Sequence, residues 1–205
     1  MKTEKLEKLH ACREAVKYVT TQKSAVSAWR NCPRGDWMLW LAYHLKVNKR
    51  LLTLAKGKCA ETVLHLMKDQ RSKDAVKAAI DYGNGVINDE ELVYTAAYNY
   101  AAAAIAAYDA AYAADFATTA DVAATYTIIV ANSATAASDS AYAAIIDNAD
   151  STAAYSADAA ADAVTTADFA DAADNARLNN QLLTANICRE ILTKEVLNAY
   201  KKLKP

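Results

Sequence analysis

The sequence predicts an all-α protein, an antiparallel helical bundle or a short helical solenoid with one half rich in alanine and tyrosine. Glycine and proline, which disfavour helices, are absent from residues 86–204. Of the 83 residues from 94 to 176, 36 are alanine, the strongest helix former. Before this tract, apolar residues recur at three- and four-residue steps, as on one face of a helix. A chain of 205 residues suits a single domain, residues 1–205.

Residues 1–85 are the predicted basic part, which contains the three tryptophans. The first thirty residues predict a helix with a regular apolar stripe: Leu6, Leu9, Cys12, Val16 and Val19. Pro33 and Gly35 interrupt the pattern, and Asp36 can cap the helix that follows. We expect Trp29, Trp37 and Trp40 to form an N-terminal core.

Two further helices are predicted before the alanine-rich tract. Asn48 marks a turn, and the helix after it is weakened by Gly57. A shorter helix then stops at a Gly-Asn-Gly sequence, residues 83–85. A new helix starts with Asn88 or Asp89 as its cap and acidic residues such as Glu91 in its first turn.

Residues 86–176 are predicted to form acidic helices rich in alanine and tyrosine, and residues 177–205 a basic C-terminal helix that packs on the rest. Several tyrosines of the tract recur fourteen residues apart, so they would lie along one side of a helix. We expect breaks near 130–140, 147–152 and 174–180, where Asn, Ser and Asp are frequent. A pentapeptide-type β-solenoid is disfavoured because the aspartates step by six residues at 109, 115 and 121.

Charge is strongly segregated along the chain. Residues 1–80 hold seventeen Lys and Arg against seven Asp and Glu, whereas residues 81–176 hold fifteen carboxylates and no Lys or Arg. Residues 177–205 are basic again, with six against two. The acidic part either packs against the basic part or presents a charged face to a partner. The candidate partner-binding residues are Asp109, Asp115, Asp121, Asp139, Asp147, Asp150, Asp158, Asp162, Asp168, Asp171 and Asp174.

No enzyme motif is recognisable. Phosphate-binding glycine loops, nucleophile elbows and closely spaced metal ligands are missing, so we expect no catalytic residues, no metal and no cofactor. The four cysteines are scattered and predicted to be reduced core residues. The charged, amphipathic N-terminus does not resemble a secretory signal, and no long uncharged apolar run is present. We therefore expect a cytoplasmic protein of a bacterial host cell that does not bind membranes.

Two segments carry a family resemblance. The element "RGDWMLWLA", preceded by Trp29 and Cys32, and the closing segment "LTANICREILTKEVLNAY" flank the Ala/Tyr-rich tract. This arrangement resembles a family of alanine-rich bacterial and phage proteins assigned as immunity proteins of polymorphic toxin systems. The resemblance implies a helical protein that neutralises a partner. The residues of this chain that match the family pattern near the first element are Trp29, Arg34, Gly35, Asp36, Trp37 and Trp40.

Three functions remain open at this point. The leading hypothesis is a non-enzymatic inhibitor of a toxin or an antiphage defence factor, whose acidic face covers a basic, nucleic-acid-binding surface. Direct nucleic-acid binding by this chain is disfavoured because no recognition motif is present. The second hypothesis is a self-assembling protein that forms a homo-oligomer through the Ala/Tyr face. The third is a small-molecule or nucleotide sponge.

Overall fold

The computed structural model describes residues 3–66, 70–95 and 173–202. All regular elements in these ranges are helical, and these residues contain no strand, so the all-α prediction is confirmed. The α-helices are α1 (Thr3–Lys8), α2 (Arg13–Thr20), α3 (Ala25–Asn31), α4 (Gly35–His44), α5 (Lys49–Glu61), α6 (Gln70–Gly83), α7 (89–95) and α8 (Ala173–Lys202), with a 3₁₀ turn at Leu64–Leu66. The choice between a bundle and a solenoid stays a prediction.

The first thirty residues form three short helices, so the prediction of one helix was wrong. α1 ends because His10 adopts a left-handed conformation, with φ of 61°. The Ala11 N–H donates to the Leu6 carbonyl at 3.0 Å and the His10 N–H to the Glu7 carbonyl at 2.9 Å, the bonding pattern of a Schellman motif. α3 starts anew because the Ser24 side chain caps it and accepts a hydrogen bond from the Ser27 N–H at 3.0 Å.

α4 also begins differently from the sequence prediction. Arg34 occupies the N-cap position, and Asp36 lies in the first turn rather than capping the helix. The Asp36 carboxylate instead accepts hydrogen bonds from the Arg34 side chain. A carboxylate in the first turn interacts favourably with the helix dipole, so Asp36 stabilises α4 without being its N-cap.

α5 and α6 run antiparallel and approach closely at two glycines. A Cβ atom added to Gly57 would lie 3.0 Å from the Ala79 Cβ, and one added to Gly83 would lie 2.8 Å from the Leu54 Cα. By helix propensity alone, Gly57 is a weak point of α5. The structure gives it a packing role, because a larger residue would push the two helices apart.

The predicted stop and restart after α6 are confirmed. Gly85 has a φ of 78°, and the Val86 N–H donates to the Asp81 carbonyl at 2.8 Å across it. α7 opens with a capping box, in which the Asn88 side chain accepts from the Glu91 N–H at 3.0 Å and the Glu91 carboxylate accepts from the Asn88 N–H at 2.9 Å.

α8 is a continuous helix of thirty residues, so the break predicted at 174–180 was wrong. It packs against α3, α4 and α5 through a fully buried stripe: Ala185, Cys188, Leu192 and Val196. Thr184, which is also fully buried, lies against Gly35 of α4, and the Cys59 thiol of α5 donates to its carbonyl at 3.9 Å. The C-terminal helix α8 therefore completes the hydrophobic core formed by the N-terminal helices.

The core contains most of the residues expected there. Trp29 is 2% exposed, whereas Trp37 and Trp40 are only partly buried and pack on the rim of the core. Cys32, Cys59 and Cys188 are buried and free, but Cys12 is exposed, so the prediction of a core position was wrong for this cysteine. Lys56 of α5 is only 1% exposed, so this lysine of the basic N-terminal part does not lie on the protein surface.

Candidate ligand-binding cavity

A cavity of about 350 Å³, partly open to solvent, lies among α1, α2, α3 and α4. Its walls are mainly apolar. Three helices contribute aliphatic side chains to the lining: Leu6 of α1, Val19 of α2, and Met38 and Leu41 of α4. Its lining residues run from Leu6 of α1 to Leu41 of α4, so the cavity is built by the turns that divide the first thirty residues into three short helices.

Aromatic side chains form one wall of the cavity: Tyr18, Trp29, Trp37 and Trp40. The Tyr18 and Trp37 ring centroids are 5.9 Å apart and tilted by 45°. The Tyr18 hydroxyl donates to the Ala28 carbonyl at 3.0 Å, and the Trp29 indole N–H donates to the Thr193 hydroxyl of α8 at 2.8 Å. These hydrogen bonds fix Tyr18 and Trp29 in place. Desolvation raises the pKa of Tyr18 to about 12, so the phenol is neutral at physiological pH.

The polar end of the cavity is an ion pair between Arg34 and Asp36. The Arg34 Nε donates to Asp36 Oδ1 at 2.9 Å, and its Nη2 donates to Oδ2. The Asp36 side chain is 10% exposed and that of Arg34 is 30% exposed. The guanidinium also lies 4.8 Å from the centre of the Trp37 ring. The pair is bidentate, so the two charges neutralise each other at the cavity wall.

The thiols near the cavity are poor nucleophiles where they are buried. Burial raises the pKa of Cys32 to about 11, against the opposing effect of a hydrogen bond with the Arg34 backbone. Burial also raises the pKa of Cys188 well above its usual range, and the neighbouring Cys59 thiol raises it further. Since a thiolate is needed for nucleophilic attack, these cysteines are inert at neutral pH. Across residues 3–66, 70–95 and 173–202, no cluster of ligands could hold a metal ion.

The cavity brings together most of the residues that carried the family resemblance. Trp29, Arg34, Asp36, Trp37 and Trp40 all line it. Gly35 does not; it lies beneath, against Thr184 of α8. In the sequence these residues form a motif, and no cavity is predicted from it. Their spacing along α4 was the available signal, because Arg34, Trp37 and Trp40 are three residues apart.

The predicted acidic face is not placed by the structure. Asp174 lies in the first turn of α8. The other ten aspartates lie outside the described residues: Asp109, Asp115, Asp121, Asp139, Asp147, Asp150, Asp158, Asp162, Asp168 and Asp171. No described helix is long and apolar enough to cross a lipid bilayer.

Comparisons with known proteins return no relative. No family model, no curated protein and no solved structure matches this chain.

Proposed function

We propose that this protein is a non-enzymatic cytoplasmic inhibitor, either a toxin immunity protein or a phage anti-defence protein. Its acidic segment covers the basic surface of a partner protein. One observation carries the proposal: residues 81–176 contain fifteen carboxylates and no Lys or Arg. Such a one-signed segment cannot neutralise its own charges, so cations from elsewhere must do so. Asp81 and Asp89 pair with Lys77 and Lys49 of this chain, and we propose that a basic partner supplies cations for the remaining carboxylates.

The physical role of this charge is fast and selective association. Attraction between complementary potentials raises the encounter rate and disfavours partners of the wrong sign. A surface that binds nucleic acid is a suitable target, because it is already built to receive a dense row of negative charges. Salt should weaken the complex, since the Debye length falls from about 10 Å at 0.1 M to about 3 Å at 1 M.

The charges of the described helices favour the acidic segment as the contact surface. Ion pairs join Arg34 to Asp36, Lys49 to Asp89, Lys58 to Glu61 and Lys77 to Asp81. Along α1 to α3, a set of exposed cations pairs with no carboxylate of the described residues: Lys8, Arg13, Lys17, Lys23 and Arg30. These exposed cations outnumber the exposed carboxylates of the same stretch, Glu4, Glu7 and Glu14, so α1 to α3 would not attract a basic partner, which leaves the acidic segment to meet it.

The test is affinity capture with two baits from the cells that express the protein. One bait is the native chain and the other carries Asp→Asn substitutions at Asp147, Asp150, Asp158 and Asp162. A matched control bait carries Glu→Gln at four exposed residues outside the segment, Glu4, Glu7, Glu14 and Glu190, so both variants change the charge equally. Lysates are treated with nuclease, and the captured proteins are eluted in rising salt.

We expect one stoichiometric basic protein on the native and control baits, lost at high salt and depleted on the Asn bait. Thermal stability of the Asn variant should be nearly unchanged. Equal capture by the native and Asn baits would contradict the proposal. A partner retained only when nucleic acid is intact would contradict it as well, since the contact would then be indirect.

Self-assembly is a second candidate function, favoured by apolar residues on α8. Leu178 is 61% exposed, and Leu182 and Leu183 are each 48% exposed. Exposed apolar side chains grouped on one helix commonly mark an interface. Light scattering at high protein concentration decides this candidate: a monomer of 22.1 kDa would dismiss it, and a defined multimer that Leu182→Ser dissociates would support it.

A further inference from the structure

We propose that the cavity among α1 to α4 binds a small uncharged molecule, mostly apolar, of about two fused rings with one hydrogen-bonding group. This inference goes beyond the proposed inhibition and does not rest on the acidic segment. It rests on the volume, the wall chemistry and the charge balance of the cavity.

The volume exceeds that of a packing defect. Protein interiors are filled at the density of organic crystals, and natural voids larger than a water molecule are few. An engineered apolar cavity of about 150 Å³ holds one benzene. The cavity here is about 350 Å³, at the lower end of the range of ligand pockets, and has room for about two rings.

The walls select an apolar, planar body. Leu6, Val19, Met38 and Leu41 supply aliphatic surface, and Trp37 and Trp40 supply partly buried aromatic surface. An apolar wall without a neighbour loses dispersion contacts that a ligand would restore. Aromatic rings also favour a planar ligand through offset or edge-to-face packing.

The polar end selects against a charged ligand. Arg34 and Asp36 already neutralise each other in a bidentate pair, so neither offers an unpaired counter-charge to offset the desolvation of an entering ion. A hydroxyl or amide group of a ligand can instead form hydrogen bonds at this end of the cavity. The Asp36 carboxylate has spare lone pairs for a donor, and the indole N–H groups of Trp37 and Trp40 have no acceptor among the described residues.

The chain carries its own reporter for this test. It contains three tryptophans, and all three line the cavity. We would titrate the full-length protein at pH 7 with 2-naphthol, and with naphthalene-2-sulfonate as a charged probe of the same ring size. Binding is measured by isothermal titration calorimetry and by the loss of tryptophan emission through energy transfer to the naphthol. We expect one 2-naphthol site per chain with a dissociation constant on the order of 100 µM or tighter, and binding of the sulfonate at least ten times weaker.

A cavity-filling variant provides the control for location. Ala15 of α2 is half-buried and lines the cavity, so Ala15→Phe places a ring inside it. Ala25 of α3 is also half-buried but does not line the cavity, so Ala25→Phe is the matched control. We expect Ala15→Phe to weaken 2-naphthol binding at least tenfold and Ala25→Phe to leave it unchanged. If Ala15→Phe does not fold, as judged by circular dichroism, Ala11→Phe fills the same cavity from the α1–α2 turn.

Three results would overturn the inference. The first is no 2-naphthol binding up to its solubility limit. The second is equal affinity for the sulfonate, which would show that the ion pair does not select against charge. The third is undiminished binding to the folded filling variant, which would place the site elsewhere.

Discussion

Replacing Gly35 by alanine should destabilise the protein, because α4 and α8 touch at this residue. The added Cβ would lie 2.7 Å from the Thr184 Cβ and 2.8 Å from the Thr184 carbonyl carbon. Carbon atoms in contact prefer about 3.5–4.0 Å, so the two helices must separate by roughly 1 Å. Thr184 cannot turn away, since part of the contact is backbone and its hydroxyl donates to the Asn180 carbonyl at 3.0 Å.

The magnitude follows from the cost of overpacking. Extra atoms forced into a packed core cost about 1–3 kcal/mol, and the gain in helix propensity from glycine to alanine returns at most about 1 kcal/mol. We expect a net loss of about 2 kcal/mol, which lowers the midpoint of thermal unfolding by roughly 4–8 °C for a chain of this size. The Cys188 thiol, which donates to the Gly35 carbonyl at 3.7 Å, should lose this contact.

Urea unfolding followed by circular dichroism measures this loss as a lower midpoint at an unchanged slope. Gly85→Asn is the matched control. A Cβ added there meets nothing within 4 Å, so the substitution changes the backbone preference without crowding, and asparagine is among the side chains that best accept the positive φ of 78°. The control should lose less than Gly35→Ala, about 1 kcal/mol or less, because the left-handed conformation still strains an L residue. An unchanged or higher midpoint for Gly35→Ala would refute the close approach of α4 and α8.

Three further predictions test separate features. Trp29→Phe removes the hydrogen bond to the Thr193 hydroxyl and leaves part of the core empty, so urea unfolding should show a loss of about 1–3 kcal/mol, and no loss would contradict the burial of the indole. His10→Gly relieves a left-handed residue, so thermal unfolding should show a gain of about 0.5–1 kcal/mol, whereas a loss would argue against the turn geometry. Burial raises the pKa of Cys32 to about 11, so above about pH 9 the unfolded thiol loses its proton while the folded thiol keeps it, and stability falls as pH rises. The free energy of unfolding, measured by urea titration at pH 7, 9 and 10, should therefore fall less steeply with pH for Cys32→Ala than for the native chain. The two slopes should differ by up to about 1.4 kcal/mol per pH unit, and parallel profiles would contradict the raised pKa of Cys32.

Local chemistry is what the sequence predicted well. The stop at Gly85 and the cap at Asn88 depend on residues within about one turn of each other, and both act as expected. The start of α8 shows the opposite case. Its Asn-rich sequence favours a break, yet Asn180 donates to the Thr62 hydroxyl at 3.0 Å, a contact 118 residues away in sequence. Tertiary contacts therefore override local preference there.

The candidate cavity was beyond sequence reasoning for the same reason. The motif residues near α4 were recognised, but the cavity also needs lining residues from α1 and α2. The turn between these two helices lies at His10, where the glycine that most often marks such a helix end is missing. The packing roles of Gly35 and Gly57 were hidden too, because each depends on another helix: α8 for Gly35 and α6 for Gly57.

Because α8 packs on α3 and α4, the N-terminal core can be completed only after the C-terminal helix has been synthesised. Trp29 and its partner Thr193 are 164 residues apart. A ribosome adding about 5–20 residues per second needs roughly 8–33 s to make the stretch between them. Throughout that interval the tryptophans of the N-terminal helices lack the helix that completes their core, and the whole acidic segment emerges before it. The nascent chain therefore passes through a stage in which nearly all of its acidic residues have been synthesised but its hydrophobic core still lacks α8.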